Sequence, residues 1–381
     1  MNSQQPTPRT PDTALWPGAA RYLPALLSAA PAASAVAVGL HHDGRRTAIA
    51  QGTTAHHDGR QADASTRFEI GSVTKTFTAL LLAEQAARGE LHLHDPLLGH
   101  LPPGTRPPPG GSGIRLLHLA THTSGLPRLP PGLLRTALPH LLTNPYDGCT
   151  AADILDALSR TRLRSRPGTR THYSNFGVGL LGHALSGAAG LAVGTDGSGE
   201  SGAQDYASLL ATRVLGPLGL HDTDCVAAPP DDGDDVTGYW HGRPRPPFRI
   251  PGMPAAGAVR SSARDLLTFT EALLDPDRFA RATVRATVLP HSLRTALHDT
   301  TRPRIALRRG AQQIALVWNI RPRGDGSRVH HHSGGTRGCT AFAGFDTRRR
   351  AAVVALANCA PGSGNHLIQQ AYDTLLELGD G

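Results

Sequence analysis

The chain has 381 residues, a formal net charge of +8 and an isoelectric point near 9.9. Hydrophobic residues make up 39% of it and charged residues 18%, which is the ordinary balance of a globular protein. It contains no uninterrupted apolar run of about 18 residues, so the sequence predicts no membrane span. The basic residues are spread along the chain and aromatic residues amount to 4%, so we expect no nucleic-acid partner.

The beginning of the chain lacks the features of an export signal. The first twenty residues are rich in proline, threonine and glutamine and carry little positive charge. The apolar stretch from Leu23 to Val38 is interrupted by Pro24 and Pro31 and ends in a pattern typical of a strand. The sequence therefore predicts a cytoplasmic location.

Strand-like segments occur near both ends of the chain. Ser34–Leu40 and Arg46–Gln51 flank a turn signal at His42 to Gly44 and predict an antiparallel hairpin. Short apolar runs near the other end predict three more strands and a closing helix. These are Ile314–Ile320, Thr340–Phe345, Ala351–Ala357 and the helix Leu367–Leu378.

The middle of the chain has helical periodicity between loops rich in proline and glycine. The predicted helices are Ala151–Arg160, Phe176–Gly187, Gln204–Leu215 and Ser262–Leu274. The sequence thus predicts an α/β (α+β) fold, with an antiparallel sheet built from both termini and flanked by helices. Residues 1–84 and 305–381 would form a discontinuous sheet domain, residues 85–304 an inserted and mainly helical domain, with an active-site cleft between them.

Ser72 and Lys75 form the pattern S-x-x-K at the start of a predicted helix. A backbone N–H at the positive end of a helix can stabilise an oxyanion on a carbonyl that the Ser72 hydroxyl attacks. Lys75 lies one turn further on and faces the same way, so a neutral amine there could take the hydroxyl proton. By itself the pattern is weak, because a serine is also a common N-cap and a lysine is commonly solvated.

The use of lysine in this chain strengthens the catalytic interpretation. Of the 38 lysine and arginine residues, Lys75 is the only lysine. An arginine guanidinium does not lose its proton in proteins, whereas a lysine amine does so when it is buried or lies near another positive charge. The only lysine of the chain therefore lies at the position where the chemistry requires an amine that can lose its proton.

A second element places Tyr173 and Asn175 just before a predicted helix, after a Pro-Gly turn. Either residue taken singly could be structural, Tyr173 as a packed aromatic and Asn175 as an N-cap. With Ser72 and Lys75, however, they resemble the S-x-x-K and Y-x-N elements of the class C β-lactamase-related serine hydrolases. That family also includes D-amino-acid peptidases, esterases and some acyltransferases. The resemblance implies that Tyr173 shuttles a proton to the leaving group.

The third element of the resemblance is His332-Ser333-Gly334-Gly335, which is similar to the family's K-T-G edge-strand motif in an H-x-G form. The resemblance implies that this segment binds the substrate and that the Gly335 N–H is the second oxyanion donor. His332 could donate a hydrogen bond. Because a lysine is missing here, a fixed charge for a substrate carboxylate is missing too, which argues against true β-lactamase or D-Ala-D-Ala carboxypeptidase activity.

The resemblance implies a β-lactamase/transpeptidase-like fold and a serine hydrolase. Its acyl substrate would be a small molecule or a peptide with an ester or amide, such as a β-lactam or a D-amino-acid peptide, and it would form an acyl-enzyme on Ser72. Two alternatives stay open. One is an acyltransferase of specialised metabolism that uses the same acyl-enzyme, and the other is a penicillin-binding protein or sensor that stays acylated. The oligomeric state also stays open.

Metal catalysis is a weaker alternative. The best clusters of potential ligands are His92, His94 and Asp95, and His330 to His332, but neither forms an H-E-x-x-H motif. The cysteines form no C-x-x-C pair and are expected to be reduced bystanders. They are Cys149, Cys225, Cys339 and Cys359. We therefore expect no metal and no cofactor.

Overall fold

The computed structural model of the protein describes residues 16–57, 59–133, 144–191, 200–225, 234–283, 288–307 and 310–378. Two short helices, α1 (Pro17–Ala20) and α2 (Leu23–Ser28), precede the hairpin of β1 (Ala35–His42) and β2 (Arg45–Gly52). Asp43 and Gly44 form its two-residue turn with φ values of 49° and 87°. An Asp-Gly pair adopts this turn readily, which explains why the hairpin is predictable.

The next part of the described chain is mainly helical. Its helices and short strands are β3 (Phe68–Glu69), α3 (Thr74–Arg88), α4 (Leu116–Ala120), α5 (Ala151–Ser159), α6 (Asn175–Ala188), α7 (Glu200–Leu210), α8 (Gly216–Leu218), β4 (Gly238–Trp240), β5 (Arg243–Arg245), β6 (Arg260–Ser261), α9 (Ala263–Leu274), α10 (Pro276–Thr283) and α11 (His291–Thr300). Tighter or wider helical turns lie at Gly71–Val73, Leu97–His100 and Pro254–Ala256, which are 3₁₀, and at Ala211–Leu215, which is π-helical. The four helices predicted in this region are present.

Strands from both ends of the chain build one antiparallel sheet, as predicted. Its later strands and the closing helix are β7 (Ile305–Leu307), β8 (Gln312–Ile314), β9 (Asn319–Pro322), β10 (Arg328–Gly335), β11 (Thr340–Asp346), β12 (Ala351–Ala357) and α12 (Leu367–Leu378). Within the described ranges the sheet has eight strands in the order β2-β1-β12-β11-β10-β9-β8-β7. The first and last parts of the chain meet where β1 pairs with β12.

The prediction of a single strand at Ile314–Ile320 is wrong. β8 ends at Ile314 and β9 begins at Asn319, and between them Val317 has a φ of 67°. The Val317 N–H donates to the carbonyl oxygen of Ala120 at 2.7 Å. The apolar residues of this segment serve a buried turn, which ends with the fully buried Trp318, and not a continuous strand.

Apolar side chains alternate between the two faces of the sheet. On β1, Val38 faces the core formed with α2 and α12, whereas its neighbour Ala37 faces the larger core that includes α3 and α9. Helix α9 lies very close to the sheet at Gly39. A Cβ on this glycine would be only 3.1 Å from the Cβ of Leu267. The division of the chain into domains at residues 84 and 305 stays a prediction. Within the described residues, no helix combines the length and the apolar character needed to cross a membrane.

Candidate active site

Ser72 lies in the 3₁₀ turn Gly71–Val73, directly before α3. The predicted helical start at Ser72 is therefore a tighter turn, and the α-helix begins at Thr74. Gly71 has a φ of 50°, a left-handed conformation that glycine adopts without strain. A Cβ on Gly71 would lie 2.7 Å from the carbonyl oxygen of Gly335. Glycine thus lets the nucleophile turn lie against the end of β10.

The Lys75 side chain reaches Ser72 from one helical turn further along. Its Nζ lies 3.0 Å from Ser72 Oγ and 2.5 Å from the carbonyl oxygen of Ala256. It also lies beside Tyr173 and interacts electrostatically with that side chain. Lys75 is 0% exposed, and no carboxylate of the described residues forms an ion pair with it. The structure thus brings together the three predicted catalytic side chains.

The surroundings of Lys75 favour its neutral form. Burial lowers the pKa of Lys75 below the ordinary 10.5, because the ammonium loses its hydration, and the Arg128 guanidinium lowers it further. The interaction with Tyr173 acts in the opposite direction. A buried ammonium without a carboxylate partner is costly. The neutral amine has two N–H donors and one lone pair, and the Ala256 carbonyl accepts one N–H, so the lone pair can accept the Ser72 proton.

Tyr173 is held between basic and aromatic side chains. Lys75 Nζ lies 5.2 Å from the centre of the Tyr173 ring, and the Arg128 guanidinium carbon lies 5.7 Å from it. The His122 ring packs against the same ring at 4.5 Å. This packing fixes the position of the Tyr173 ring beside the Lys75 amine.

Asn175 is the first residue of α6 and is not its N-cap. The cap is Ser174, whose hydroxyl oxygen accepts a hydrogen bond from the Gly177 N–H at 2.8 Å. The Asn175 side chain instead lies near Tyr146, and its buried Oδ1 has no hydrogen-bond partner among the described residues. An unsatisfied buried carbonyl oxygen costs free energy unless a ligand or a water molecule bonds it. The Oδ1 atom of Asn175 is therefore available to accept a hydrogen bond.

The end of β10 lies directly against the nucleophile turn. A Cβ on Gly334 would lie 2.0 Å from the carbonyl oxygen of Ile70 and 2.9 Å from the backbone nitrogen of Ser72. Gly335 contacts Gly71, as described above. His332 is buried, and Lys75 is close enough to depress its pKa. The structure thus brings His332, Gly334 and Gly335 together near Ser72 and Lys75.

Ser333 is the exception, and the prediction that its side chain belongs to the site is corrected. Side chains alternate along β10, so that His332 faces Lys75 while Ser333 faces the other side of the sheet. Ser333 pairs with Phe342 and lines a groove with Tyr372 of α12. Only the backbone of Ser333 can contribute to the site.

Comparison with known proteins agrees with this geometry. The family model described as Beta-lactamase matches residues 23–376. The chain belongs to the Beta-lactamase family. This match confirms the predicted family and the predicted fold class.

Relatives of the chain carry names from the same family. The D-alanyl-D-alanine-carboxypeptidase/endopeptidase AmpH of Escherichia coli (strain K12) is 34% identical over 161 residues, which cover 42% of this chain and 37% of the relative. A beta-lactamase of the same organism is 32% identical over 213 residues, or 55% of this chain and 48% of the relative. The human putative beta-lactamase-like 1 is 30% identical over 324 residues, or 82% of this chain and 58% of the relative. The chain thus spans between about a third and three fifths of these relatives.

His122 is a residue of this Beta-lactamase-family site that sequence reasoning missed. It has a φ of 57°, is 4% exposed, and receives a 3.3 Å hydrogen bond on Nδ1 from the Ser174 N–H. Burial, with a further contribution from Lys75, lowers the pKa of His122 to about 3. The available signal was the segment L-A-T-H-T-S-G-L-P, which resembles the family but does not indicate that its histidine contacts Tyr173.

Glu69 is a second missed residue, and it connects three segments around Ser72. One carboxylate oxygen accepts from the Phe248 N–H at 2.6 Å and the other from the Thr336 hydroxyl at 2.5 Å. The Thr336 oxygen in turn accepts from the N–H groups of Gly338 and Cys339. Glu69 thereby ties the turn after Gly335 to the strand that leads into the nucleophile.

This hydrogen-bond chain makes a prediction about Thr336. Thr336→Val removes the hydroxyl, leaves one oxygen of the buried Glu69 carboxylate unsatisfied, and should destabilise the protein by about 1–3 kcal/mol. The rate of any Ser72-dependent reaction with a test ester should fall by about 10-fold or more, because the β10 end is no longer fixed against Ser72. Thr336→Ser keeps the hydroxyl and should retain both properties. Thermal unfolding and initial rates of the two variants test this prediction. Equal stability and equal rates of Thr336→Val and Thr336→Ser would contradict it.

The clusters considered as metal ligands have other partners. Asp95 accepts a 2.9 Å hydrogen bond from His100 and one from the His92 N–H. Across the ranges that the structure describes, no group of three or more His, Cys, Asp or Glu residues is arranged to hold a metal ion. The cysteines are buried and free.

Proposed function

We propose that this protein is a serine hydrolase that cleaves an ester or amide through an acyl-enzyme on Ser72. One observation carries the proposal: the Lys75 amine, fully buried and without a carboxylate partner among the described residues, lies 3.0 Å from Ser72 Oγ. A serine hydroxyl becomes a strong nucleophile when a base within hydrogen-bond distance removes its proton. Family membership supports the same chemistry.

Acylation begins when Ser72 Oγ attacks the substrate carbonyl carbon. As the C–O bond forms, the hydroxyl proton moves to the lone pair of Lys75, which becomes an ammonium. The contact between Lys75 and Tyr173 then provides a route for the proton, through the phenol, to the leaving group. The leaving group departs protonated, Lys75 is neutral again, and the acyl group stays on Ser72.

The oxyanion of the tetrahedral intermediate needs hydrogen-bond donors already in place. We assign this role to the backbone N–H groups of Ser72 and Gly335. The close approach of Gly334 to the Ser72 turn, which leaves no room for a Cβ, supports the assignment. Deacylation would use the same groups in reverse, with water as the nucleophile and Tyr173 or Lys75 as the base.

The substrate is proposed as a class. Relatives are named as a beta-lactamase and as a D-alanyl-D-alanine-carboxypeptidase/endopeptidase, which supports an acyl substrate that is a small molecule or a short peptide. β-Lactams, D-amino-acid peptides and simple esters all offer a carbonyl that Ser72 could attack. The cytoplasmic location and the absence of a nucleic-acid partner stay predictions from the sequence.

The test combines substrates with mass measurement. The wild-type protein is incubated with a panel of chromogenic esters and a chromogenic cephalosporin, and its intact mass is recorded. We expect turnover or an added acyl mass in the wild type and neither in Ser72→Ala. Acylation without turnover would favour a penicillin-binding protein, and product formation that requires an alcohol or amine acceptor would favour an acyltransferase. If Ser72→Ala keeps the activity, the proposal fails.

A further inference from the structure

The tautomer of His332 can be read from its hydrogen bond. His332 Nδ1 lies 2.9 Å from the backbone carbonyl oxygen of Ser333. A carbonyl oxygen only accepts, so the ring proton sits on Nδ1. The other ring nitrogen, Nε2, then carries a lone pair, and no described residue forms a hydrogen bond with it.

The ring stays neutral in this environment. His332 is 3% exposed, and burial, with further contributions from Lys75 and His122, holds its pKa well below the usual range. It therefore offers neither the fixed cation of a K-T-G lysine nor an N–H directed to a ligand, because its single ring N–H is bonded to Ser333. From the sequence, His332 was expected to donate a hydrogen bond to the substrate. The structure indicates instead that its Nε2 is a hydrogen-bond acceptor.

The groups near His332 do not supply the missing charge. The titratable neighbours that act on it are Lys75, His122 and His331, and each of them has its own pKa lowered by burial. The two arginines near the site act on other side chains: Arg128 lies against Tyr173 and Arg337 against Trp240, and both act on Tyr146, whereas neither is among the groups that act on His332. A substrate carboxylate placed against His332 would thus face a lone pair, and would be repelled.

We propose that His332 is a specificity-determining residue, whose Nε2 selects substrates that carry an N–H or O–H donor beside the scissile carbonyl over substrates that carry a carboxylate there. The preferred class is therefore an ester or amide with a neighbouring amide, amine or hydroxyl group. This inference rests on the proposed function, since it concerns the same site. A lost hydrogen bond to a buried polar group changes discrimination by about 10- to 100-fold.

The experiment uses matched ester pairs. In one pair the acyl chain ends in a primary amide or in the isosteric carboxylate, and in the other the leaving group is 3-hydroxybenzamide or 3-hydroxybenzoate. An acetate ester without a polar end serves as a reference, and the uncatalysed rate of each compound is subtracted. We expect the wild type to prefer the amide in at least one pair by about 10-fold or more in kcat/KM.

Two variants make the test specific to His332. His332→Lys supplies a cation and should shift the amide-to-carboxylate ratio, measured within that variant, towards the carboxylate by about 100-fold, whatever its rate on the reference ester. His332→Gln both donates and accepts, and should bring the ratio near one. Thermal unfolding shows whether each variant is folded. If one of the variants does not fold, the amide-to-carboxylate ratio of the wild type still tests the proposal.

The outcomes separate the two proposals. If the reference ester is not hydrolysed by Ser72, the proposed function fails. If it is hydrolysed but the wild type prefers the carboxylate, or discriminates less than twofold in both pairs, the role of His332 is overturned. A ratio that does not respond to His332→Lys in a folded variant overturns it as well.

Discussion

Lys75→Arg is expected to lower kcat/KM by about four orders of magnitude, although it keeps the positive charge that a lysine would carry in water. The reason is that an arginine guanidinium does not deprotonate, and so has no lone pair for the Ser72 proton. The 3.0 Å contact between the amine and Ser72 Oγ is a base-to-nucleophile contact only if the amine is neutral. Hydrolysis of an activated ester, followed by absorbance, measures the loss.

The control is Arg88→Lys, a change on the same helix. Arg88 lies in the last turn of α3, its side chain is 43% exposed, and it pairs with Glu90. Exchange of the two cations there should leave activity within about twofold, because exposed ion pairs contribute little. If Lys75→Arg retained more than about a tenth of the wild-type activity while folded, a neutral amine would not be the base.

Gly334→Ala is expected to lower activity by about 100-fold or more, the effect of losing one oxyanion donor. The new methyl group would lie 2.0 Å from the Ile70 carbonyl oxygen and 2.9 Å from the Ser72 nitrogen. Both are backbone atoms, which cannot move aside as a flexible side chain can, so the end of β10 must shift away from the Ser72 turn. Steady-state kinetics should show a loss mainly in kcat, since the donors act on the transition state.

Gly113→Ala provides the matched control for this variant. A Cβ on Gly113 would have no atom within 4 Å, and its φ is not in the left-handed region. The substitution should therefore leave activity and unfolding temperature nearly unchanged. Wild-type kcat in a folded Gly334→Ala protein would contradict the assignment of the β10 end to the oxyanion site.

Much of the sheet could be predicted because local signals decide it. The Asp43-Gly44 pair fixes the first hairpin, and the apolar run Ala351–Ala357 forms β12 as expected. The run Ile314–Ile320 failed because the tertiary contact of Val317 with Ala120 turns the chain there. Val317 and Ala120 are far apart in the sequence, so local sequence patterns do not reveal this contact.

The site was predictable where spacing along one helix determines geometry, and not where distant segments meet. Ser72 and Lys75 are neighbours because they lie one turn apart on the same element. His122 reaches Tyr173 through a residue with positive φ, and Glu69 bonds Thr336 across the fold. The polarity of His332 depends on a hydrogen bond to its own neighbour, which its residue type does not reveal.

The presence of one lysine in the chain allows a direct measurement of the central claim. Protein labelled with ¹³C and ¹⁵N at lysine, without lysine in any tag, gives side-chain signals from Lys75, and these can be followed across pH by NMR. Because burial depresses the pKa, the amine is neutral above that lowered value and becomes protonated, and inactive as a base, as the pH falls through it. We predict a midpoint below 10.5, matched by the acid limb of kcat/KM. A Lys75 signal that titrates at or above 10.5, with activity already full at neutral pH, would contradict the account.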